Sequence, residues 1–304
     1  MKSCFRPAED PLYVILPYFN FAGFERRREL FIEFVNRIRN VKGIRIVVCE
    51  ASGPSRLPWC MGVWRHHRID TQCRVWLKEN LVNIGIGALP SDWKYVAWID
   101  ADIQFLNENW VRETVLELQA SDVVQMFHTC VNLGPFGEAL KIDKGFGYMH
   151  RDSKTPYTKS DRYGFWHPGY AWACTRAAWT QMDGLLDWGI LGSGDRHMAL
   201  AMIGRVLDSA PGNIHANYKK LLEKFQKDCK GLRLSYVKGT ILHFWHGRFE
   251  DRKYKERWEI LTKFGYDPLE DVGLTDRGLL QLTKKGQRFQ YALDDYFRGR
   301  KEDN

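Results

Sequence analysis

A chain of 304 residues that is 44% hydrophobic and 27% charged is too apolar to remain disordered, and it is long enough for one large α/β domain or two small ones. The formal net charge of +8 excludes a strongly acidic surface and favours an anionic partner such as a nucleotide diphosphate, a nucleic acid or an anionic polymer. Seven scattered cysteines, an odd count with no Cys-x-x-Cys, argue for free thiols in a reducing compartment. No apolar run of signal-peptide length opens the chain, and none approaches the about 18 residues of a membrane-spanning helix. The expected location is therefore cytoplasmic, with no transmembrane segment.

Residues 12–16 form a short apolar strand that Pro17 is expected to end. Leu30, Phe31, Phe34, Val35 and Ile38 recur with helical spacing and predict a helix over 24–39. A second strand, 44–49, closes at Glu50, and strand, helix, strand in that order implies a right-handed parallel crossover. A helix over 73–88, with Val75, Trp76, Leu81, Val82 and Ile84 inward, leads to a buried strand at 95–99. Asn107 is placed to cap a helix running to about residue 119, and 122–127 is a fourth strand. This alternation predicts a doubly wound α/β sheet flanked by helices.

The pattern breaks over 129–167, where Gly, Pro, Asp, Lys and Tyr are frequent, and a long loop is expected. A strand at 168–174 and a short helix at 176–182 follow. Asp195 opens an apolar helix through Ile203. A basic amphipathic helix at 212–229 carries Lys219, Lys220, Lys224 and Lys227, and strands are expected at 232–237 and 240–245. A charged helix at 252–264 ends the principal domain, residues 1–265. Residues 266–304 read as a charged extension packed on it or trailing from it, with one helix near 289–297.

The strand at 95–99 runs straight into Asp100 and Asp102. With a strand period of two, both carboxylates would point to one face. In open α/β sheets, ligands sit just past the carboxyl ends of the strands. Two hard oxygen donors there suit Mg²⁺ or Mn²⁺ that also holds phosphate oxygens.

In order along residues 12–265, these segments resemble the glycosyltransferase A (GT-A) fold, in particular its family-2-like and galactosyltransferase-like members. Val14-Ile15-Leu16-Pro17-Tyr18-Phe19-Asn20 resembles the strand and loop that hold the nucleotide base. The resemblance implies donor contacts from Pro17, Tyr18 and Asn20, with Glu50 as a further one. Asn83-Ile84-Gly85 resembles the Asn-x-Gly helix that lies against the nucleotide. Asp100-Ala101-Asp102 resembles the Asp-x-Asp in which the last Asp binds the metal and the first contacts ribose or sugar. Gly184-Leu185-Leu186-Asp187 and Gly192-Ser193-Gly194-Asp195 are similar to segments of inverting members, which makes Asp195 the general base; Gly194 stands where Glu is usual.

The family often adds a metal-ligating His after a late strand. His246 matches best and His243 competes with it. Three residues apart, the two would face opposite ways on a regular strand, so at most one ligates unless the strand ends between them. Arg248 and Lys253 are expected at the diphosphate, and Trp166, His167, Trp172 and Trp188 at the sugar or acceptor.

The implied activity is transfer from a nucleotide sugar, UDP-linked by preference, to a hydroxyl acceptor, with inversion and with Mn²⁺ or Mg²⁺. The acceptor stays open among a glycan or glycolipid precursor, a protein side chain and a hydroxymethylated base in DNA. Some phage enzymes with this general fold glycosylate such bases. For DNA, the 129–167 segment with Lys141, Lys144, Arg151, Lys154 and Lys159 would form the contact surface. Two rival readings are a metal-dependent nucleotidyltransferase using Asp100 and Asp102, against which stands the lack of a glycine-rich lysine loop, and a non-catalytic nucleotide-sugar or nucleic-acid binding module. The oligomeric state is not legible.

Overall fold

A computed structural model of the chain describes residues 10–53, 55–58, 62–158, 166–254 and 256–303. Cys4, Cys60 and Lys159 lie outside the described residues. The first half runs β1 (Leu12–Phe19), α1 (Glu25–Ile38), β2 (Ile44–Ser52), β3 (Arg65–Asp70), α2 (Lys78–Gly87), β4 (Tyr95–Ile99), β5 (Ile103–Phe105), α3 (Trp110–Leu118) and β6 (Val123–Gln125). Next come β7 (Thr129–Leu133), β8 (Ala139–Lys144), α4 (Phe146–Arg151), β9 (Ala171–Thr175), α5 (Arg176–Met182) and α6 (Gly194–Met202). The chain ends with α7 (Ala216–Asp228), β10 (Leu234–Tyr236), β11 (Thr240–His243), α8 (Glu256–Lys263), β12 (Val272–Leu274), β13 (Leu280–Leu282) and α9 (Gln290–Arg298).

The central sheet has the order β10-β6-β9-β4-β1-β2-β3, and β9 alone runs antiparallel to its neighbours. The expected mixed α/β sheet flanked by helices is thus present. Strand alternation divides the core into two layers. Tyr13 and Ile15 of β1 face the layer that holds Leu81, Val82, Leu200 and Leu222, whereas Leu12, Val14 and Leu16 face Phe31, Phe34, Trp110 and Val115. A smaller sheet, β5-β11-β7-β8, completes the framework around the carboxyl end of β4.

Several elements differ from their sequence-based bounds. Pro17 does not end β1, which continues to Phe19. The pairing with β4 stops at Ile15↔Trp98, so Pro17 lies where β1 is bonded on one side only and a residue without an N–H is tolerated. The helix expected from residue 73 starts at Lys78. Val75 and Leu77 ahead of it are buried in irregular chain, and Trp76 N–H bonds Ile190 O at 2.9 Å. Period-two burial there was mistaken for one face of a helix.

β3 was not anticipated, because its sequence, Arg-His-His-Arg-Ile-Asp, is that of a polar edge strand. The segment expected as a long loop holds the β7–β8 hairpin and α4. β8 is an edge strand whose apolar residues Leu140 and Ile142 face outward while Asp143 is buried, so its alternation does not mark a core face. Within residues 266–304, Tyr266, Phe289, Leu293 and Tyr296 are buried in the same core layer as Ile15 and Trp98.

Gly85 of α2 lies against the sheet: a Cβ there would stand 2.7 Å from both Cys49 Sγ and Ile15 Cγ2. Gly85→Ala should therefore overpack this layer and lower stability by about 1–3 kcal/mol. Thermal unfolding measures this, and an unchanged melting temperature would show that α2 lifts from the sheet at no cost.

Candidate active site

β4 ends at Ile99 and delivers Asp100 and Asp102 to the mouth of a cavity of about 540 Å³. β11 ends at His243, and Phe244 N–H bonds Asp102 O at 2.8 Å, which lays the following chain over Asp102. That turn swings His246 round to the side of His243. Asp102 Oδ2 lies 3.0 Å from His246 Nε2 and 3.8 Å from His243 Nε2, and the two Nε2 atoms are 3.3 Å apart. The condition under which both histidines could join the site, a strand that ends between them, is therefore met. The strand ends at His243, and the two-residue alternation does not extend to His246.

Two of these three separations have the spacing of metal ligands, and the third, 3.8 Å, is wider. Bonds of about 2.1 Å at angles of about 90–110° separate neighbouring ligand atoms by about 3.0–3.4 Å. Asp102, His243 and His246 form the one such three-residue group among the described residues. Asp102 Oδ1 is buried without a hydrogen-bond partner, a second orphaned acceptor in the same place. An imidazole–imidazole–carboxylate set suits Mn²⁺ among other divalent ions.

The protonation states agree with this. Burial, reinforced by Arg252, pushes His246 down to about 4, so its ring is neutral at pH 7. Burial disfavours the Asp102 carboxylate, yet the His243 and His246 rings beside it outweigh this and hold the group well below the usual range. Behind the ligands, Asn132 Oδ1 accepts from His243 Nδ1 at 2.9 Å and from the Tyr170 hydroxyl at 2.9 Å, while its amide donates to Asp143 Oδ2 at 2.8 Å. The Nδ1–H bond turns the Nε2 lone pair of His243 toward Asp102 and His246.

On the opposite side of Asp100 lies Asp195, in the first turn of α6, where the helix dipole favours a carboxylate. Lys78 Nζ joins the two at 2.7 Å from Asp100 Oδ1 and 2.7 Å from Asp195 Oδ2. Ser193, just before α6, has φ +85°, and Tyr170 has φ +80°. Both line the cavity, where strained non-glycine backbone tends to concentrate.

The space in front of Gly194 is taken. A Cβ there would stand 2.2 Å from Glu79 Oε1, and Glu79 Oε2 accepts from Trp76 Nε1 at 2.9 Å. Burial and the neighbouring Asp195 push Glu79 up to about 8. A carboxyl group from α2 thus fills the space in front of position 194, where the resemblance expects Glu.

Asp100, Asp102, Asp195, His243 and His246 line one cavity, as do Pro17 and Tyr18. Four expected donor contacts do not line it. Asn20 is buried and bonds Phe24 N at 3.0 Å and Phe24 O at 2.8 Å, closing the loop into α1. Glu50 is spent on His66, Arg68 and the Leu57 amide, at 2.7, 2.9 and 2.9 Å. Asn83 bonds Leu185 N and O and Asp187 Oδ2, so it fixes the segment that leads to α6. Arg248 is exposed outside the cavity.

Of the four aromatic residues expected at the sugar or acceptor, His167 lines the cavity, stacked on Tyr170 with centroids 4.3 Å apart. Trp172 is wholly buried in the core, and Trp166 and Trp188 pack against it. The α7 lysines do not reach the cavity either. Sequence reading missed Lys78, Glu79, Asn132, Arg252 and Trp76. Only the buried alternation of Cys130 and Asn132 on β7 carried a signal.

No family model and no curated protein matches the chain. Solved structures do. A Drosophila β1,4-galactosyltransferase 7 mutant in complex with manganese, UDP-Gal and xylobiose aligns over 93% of this chain and 98% of its own, at 14% identity and a TM-score of 0.45. Glucosyl-3-phosphoglycerate synthase from Mycobacterium tuberculosis, with Mn²⁺, UDP and glucosyl-3-phosphoglycerate, aligns over 88% and 84%, at 13% identity and a TM-score of 0.43. The mannosyltransferase PcManGT from Pyrobaculum calidifontis, with GDP-Man and Mn²⁺, aligns over 87% and 65%, at 16% identity and a TM-score of 0.46.

Asn132→Ala would free the His243 ring and strand the Tyr170 hydroxyl. Mn²⁺ affinity, followed by titration of the metal alone, should fall about 10–100-fold. Unaltered affinity would show that Asn132 does not orient a ligand.

Proposed function

We propose that the chain transfers a sugar from a nucleoside diphosphate sugar to a hydroxyl acceptor, with inversion at the anomeric carbon. One observation carries this reading: a triangle of metal-ligand atoms from Asp102, His243 and His246 shares a cavity with Asp195, a carboxylate at a helix start. The cavity, about 540 Å³, is of the size that holds small-molecule ligands. Asp102, His243 and His246 would hold Mn²⁺ or Mg²⁺, which supplies a Lewis acid for diphosphate oxygens when bound.

The protein's own groups do the rest. Asp100, at the end of β4, faces the ribose or sugar. Tyr18 and Pro17 line the donor side. Lys78 aims the Asp195 carboxylate through its 2.7 Å contact. As the acceptor oxygen bonds the anomeric carbon, Asp195 accepts the hydroxyl proton. The bond from that carbon to the β-phosphate oxygen breaks, and its electron pair leaves with the nucleoside diphosphate. Glu79, protonated at neutral pH and beside Asp195, is placed to donate a hydrogen bond to the incoming acceptor.

A panel of UDP- and GDP-sugars, offered with glycan acceptors and with hydroxymethylated DNA, tests the reading and identifies both substrates. Asp195→Asn should lower kcat by about 10²–10⁴-fold while leaving nucleoside diphosphate binding in place. Turnover that survives this change would remove Asp195 from the reaction. A chelator should abolish transfer and added Mn²⁺ should restore it; transfer that persists in chelator would refute the metal role of Asp102, His243 and His246.

A further inference from the structure

The amino-terminal ends of β1, β2, β3 and β4 lie at the opposite end of the sheet from the active-site cavity. Along β1 the two ends are about 20 Å apart, at about 3.3 Å per residue. A second cluster gathers there. The β1–β2 register sets Arg45 beside Tyr13, and Trp64, just ahead of β3, donates its N–H to Ile46 O at 2.9 Å. Trp64 packs edge-on against Tyr13, with centroids 5.4 Å apart. Two guanidinium groups attend its indole, Arg65 Cζ at 4.1 Å and Arg45 Cζ at 5.6 Å from the centroid. Arg39, just after α1, and Lys42, in the turn before β2, extend the same exposed, positive surface. A Cβ on Gly62 would meet Arg39 Cδ at 3.3 Å, so Arg39 reaches the chain that leads to Trp64.

Among the described residues, none of Arg39, Lys42, Arg45 and Arg65 forms an ion pair with a carboxylate. Exposed arginines elsewhere do: Arg56, Arg205 and Arg233 each hold an Asp at 2.8–2.9 Å. Beside Arg45 opens a cavity of about 330 Å³, walled by Tyr13, Pro90 and Trp93. Asp92 also lines it, as does Asp10, which is paired with Lys94 at 2.8 Å.

We propose that this end of the sheet binds single-stranded nucleic acid. Arg39, Lys42, Arg45 and Arg65 take the phosphates, and an unstacked base enters the cavity against Tyr13 and Trp93. Cations left without carboxylates are free to displace the counterions of a phosphodiester chain. The indole lays the two guanidinium groups flat, so little freedom is lost when their forks meet phosphate oxygens. Aromatic side chains beside a basic track suit a strand whose bases are unpaired, whereas a duplex keeps its bases stacked within the helix. The two aspartates favour nucleic acid over an anionic glycan, because they would repel the glycan and can accept from the exocyclic amino group of a base. The surface shares no residue with the active-site cavity, so it stands apart from the transferase reading.

The test is fluorescence anisotropy on the full chain with oligo(dC) and oligo(dT) strands of about 15 nucleotides, over a range of salt concentrations. Wild type should bind with a log–log salt slope of about −2 to −3, at about −0.7 per phosphate neutralised. The double variant Lys42→Gln/Arg45→Gln should lose about tenfold or more in affinity and flatten the slope by about 1.4. Oligo(dC), whose base carries an amino donor, should bind more tightly than oligo(dT), and Asp92→Ala should erase that difference. Exchanging Lys219 and Lys220 on α7 for Gln should leave binding in place. A wild type that ignores both strands overturns the proposal, as does a double variant that binds equally well or an α7 variant that alone loses binding. Equal affinity for oligo(dC) and oligo(dT) overturns the base-binding cavity. Heparin that binds as tightly and is weakened by the same double variant marks a surface for any polyanion and overturns the assignment to nucleic acid. Should the double variant fail to fold, Lys42→Gln alone, exposed in its turn, should flatten the slope by about 0.7, and an unchanged slope overturns the proposal.

Discussion

Lys78 is the pivot of the site. Its ammonium group is buried at the start of α2 and touches Asp100 at the end of β4 and Asp195 at the start of α6. Two carboxylates on separate elements would repel at this range. A cation between them makes their approach favourable. At an effective dielectric near 20 each contact is worth about 6 kcal/mol of gross attraction, and desolvation of each ion takes back several kcal/mol. The net stability gained is therefore small. What the arrangement secures is position: Asp100 and Asp195 are held on one frame.

The second sheet does the same for Asp102, His243 and His246. In its register, His243 stands beside Asn132 on β7 and beside Ile103 on β5. Asp102 immediately precedes Ile103. A cross-strand pair thus supplies the ligand and its orienting amide, and the chain entering the neighbouring strand supplies the carboxylate. A slip of one residue in either pairing would send these side chains to the opposite face. The hairpin of β7 and β8 matters for the same reason, although its outer strand is largely exposed.

Charge in the cavity is distributed by role. The acids Asp100, Asp102 and Asp195 sit near β4 and α6; Arg252 and Arg300 lie where the chain after α9 meets the turn before α8, while Arg27 comes from α1, Arg196 from α6 and Arg257 from α8. Glu302 connects the regions, pairing with Arg27 and Arg300 and lying 3.9 Å from His246 Nδ1. Residues near the carboxyl end thereby reach the back of the metal centre. Desolvation acts on both sides of the site: it leaves His246 neutral and pushes Glu79 up to about 8.

Local periodicity was enough to find β1, β4, α1 and α9, because each buries one face at a repeat that neighbouring residues reveal. It was also enough to set Asp100 and Asp102 at a strand end and Asp195 at a helix start. It misjudged residues 73–77 and 129–151, where burial comes from distant partners and polar side chains hide the strand pattern. Lys78 is 117 positions from Asp195, and Asn132 is 111 from His243. No local repeat encodes contacts of that span. The sequence by itself determined which segments could carry carboxylates and imidazoles. Tertiary structure alone decided which of them meet, because sheet register and the ends of strands, not spacing along the chain, set the few ångströms within which carboxylates and imidazoles can act together.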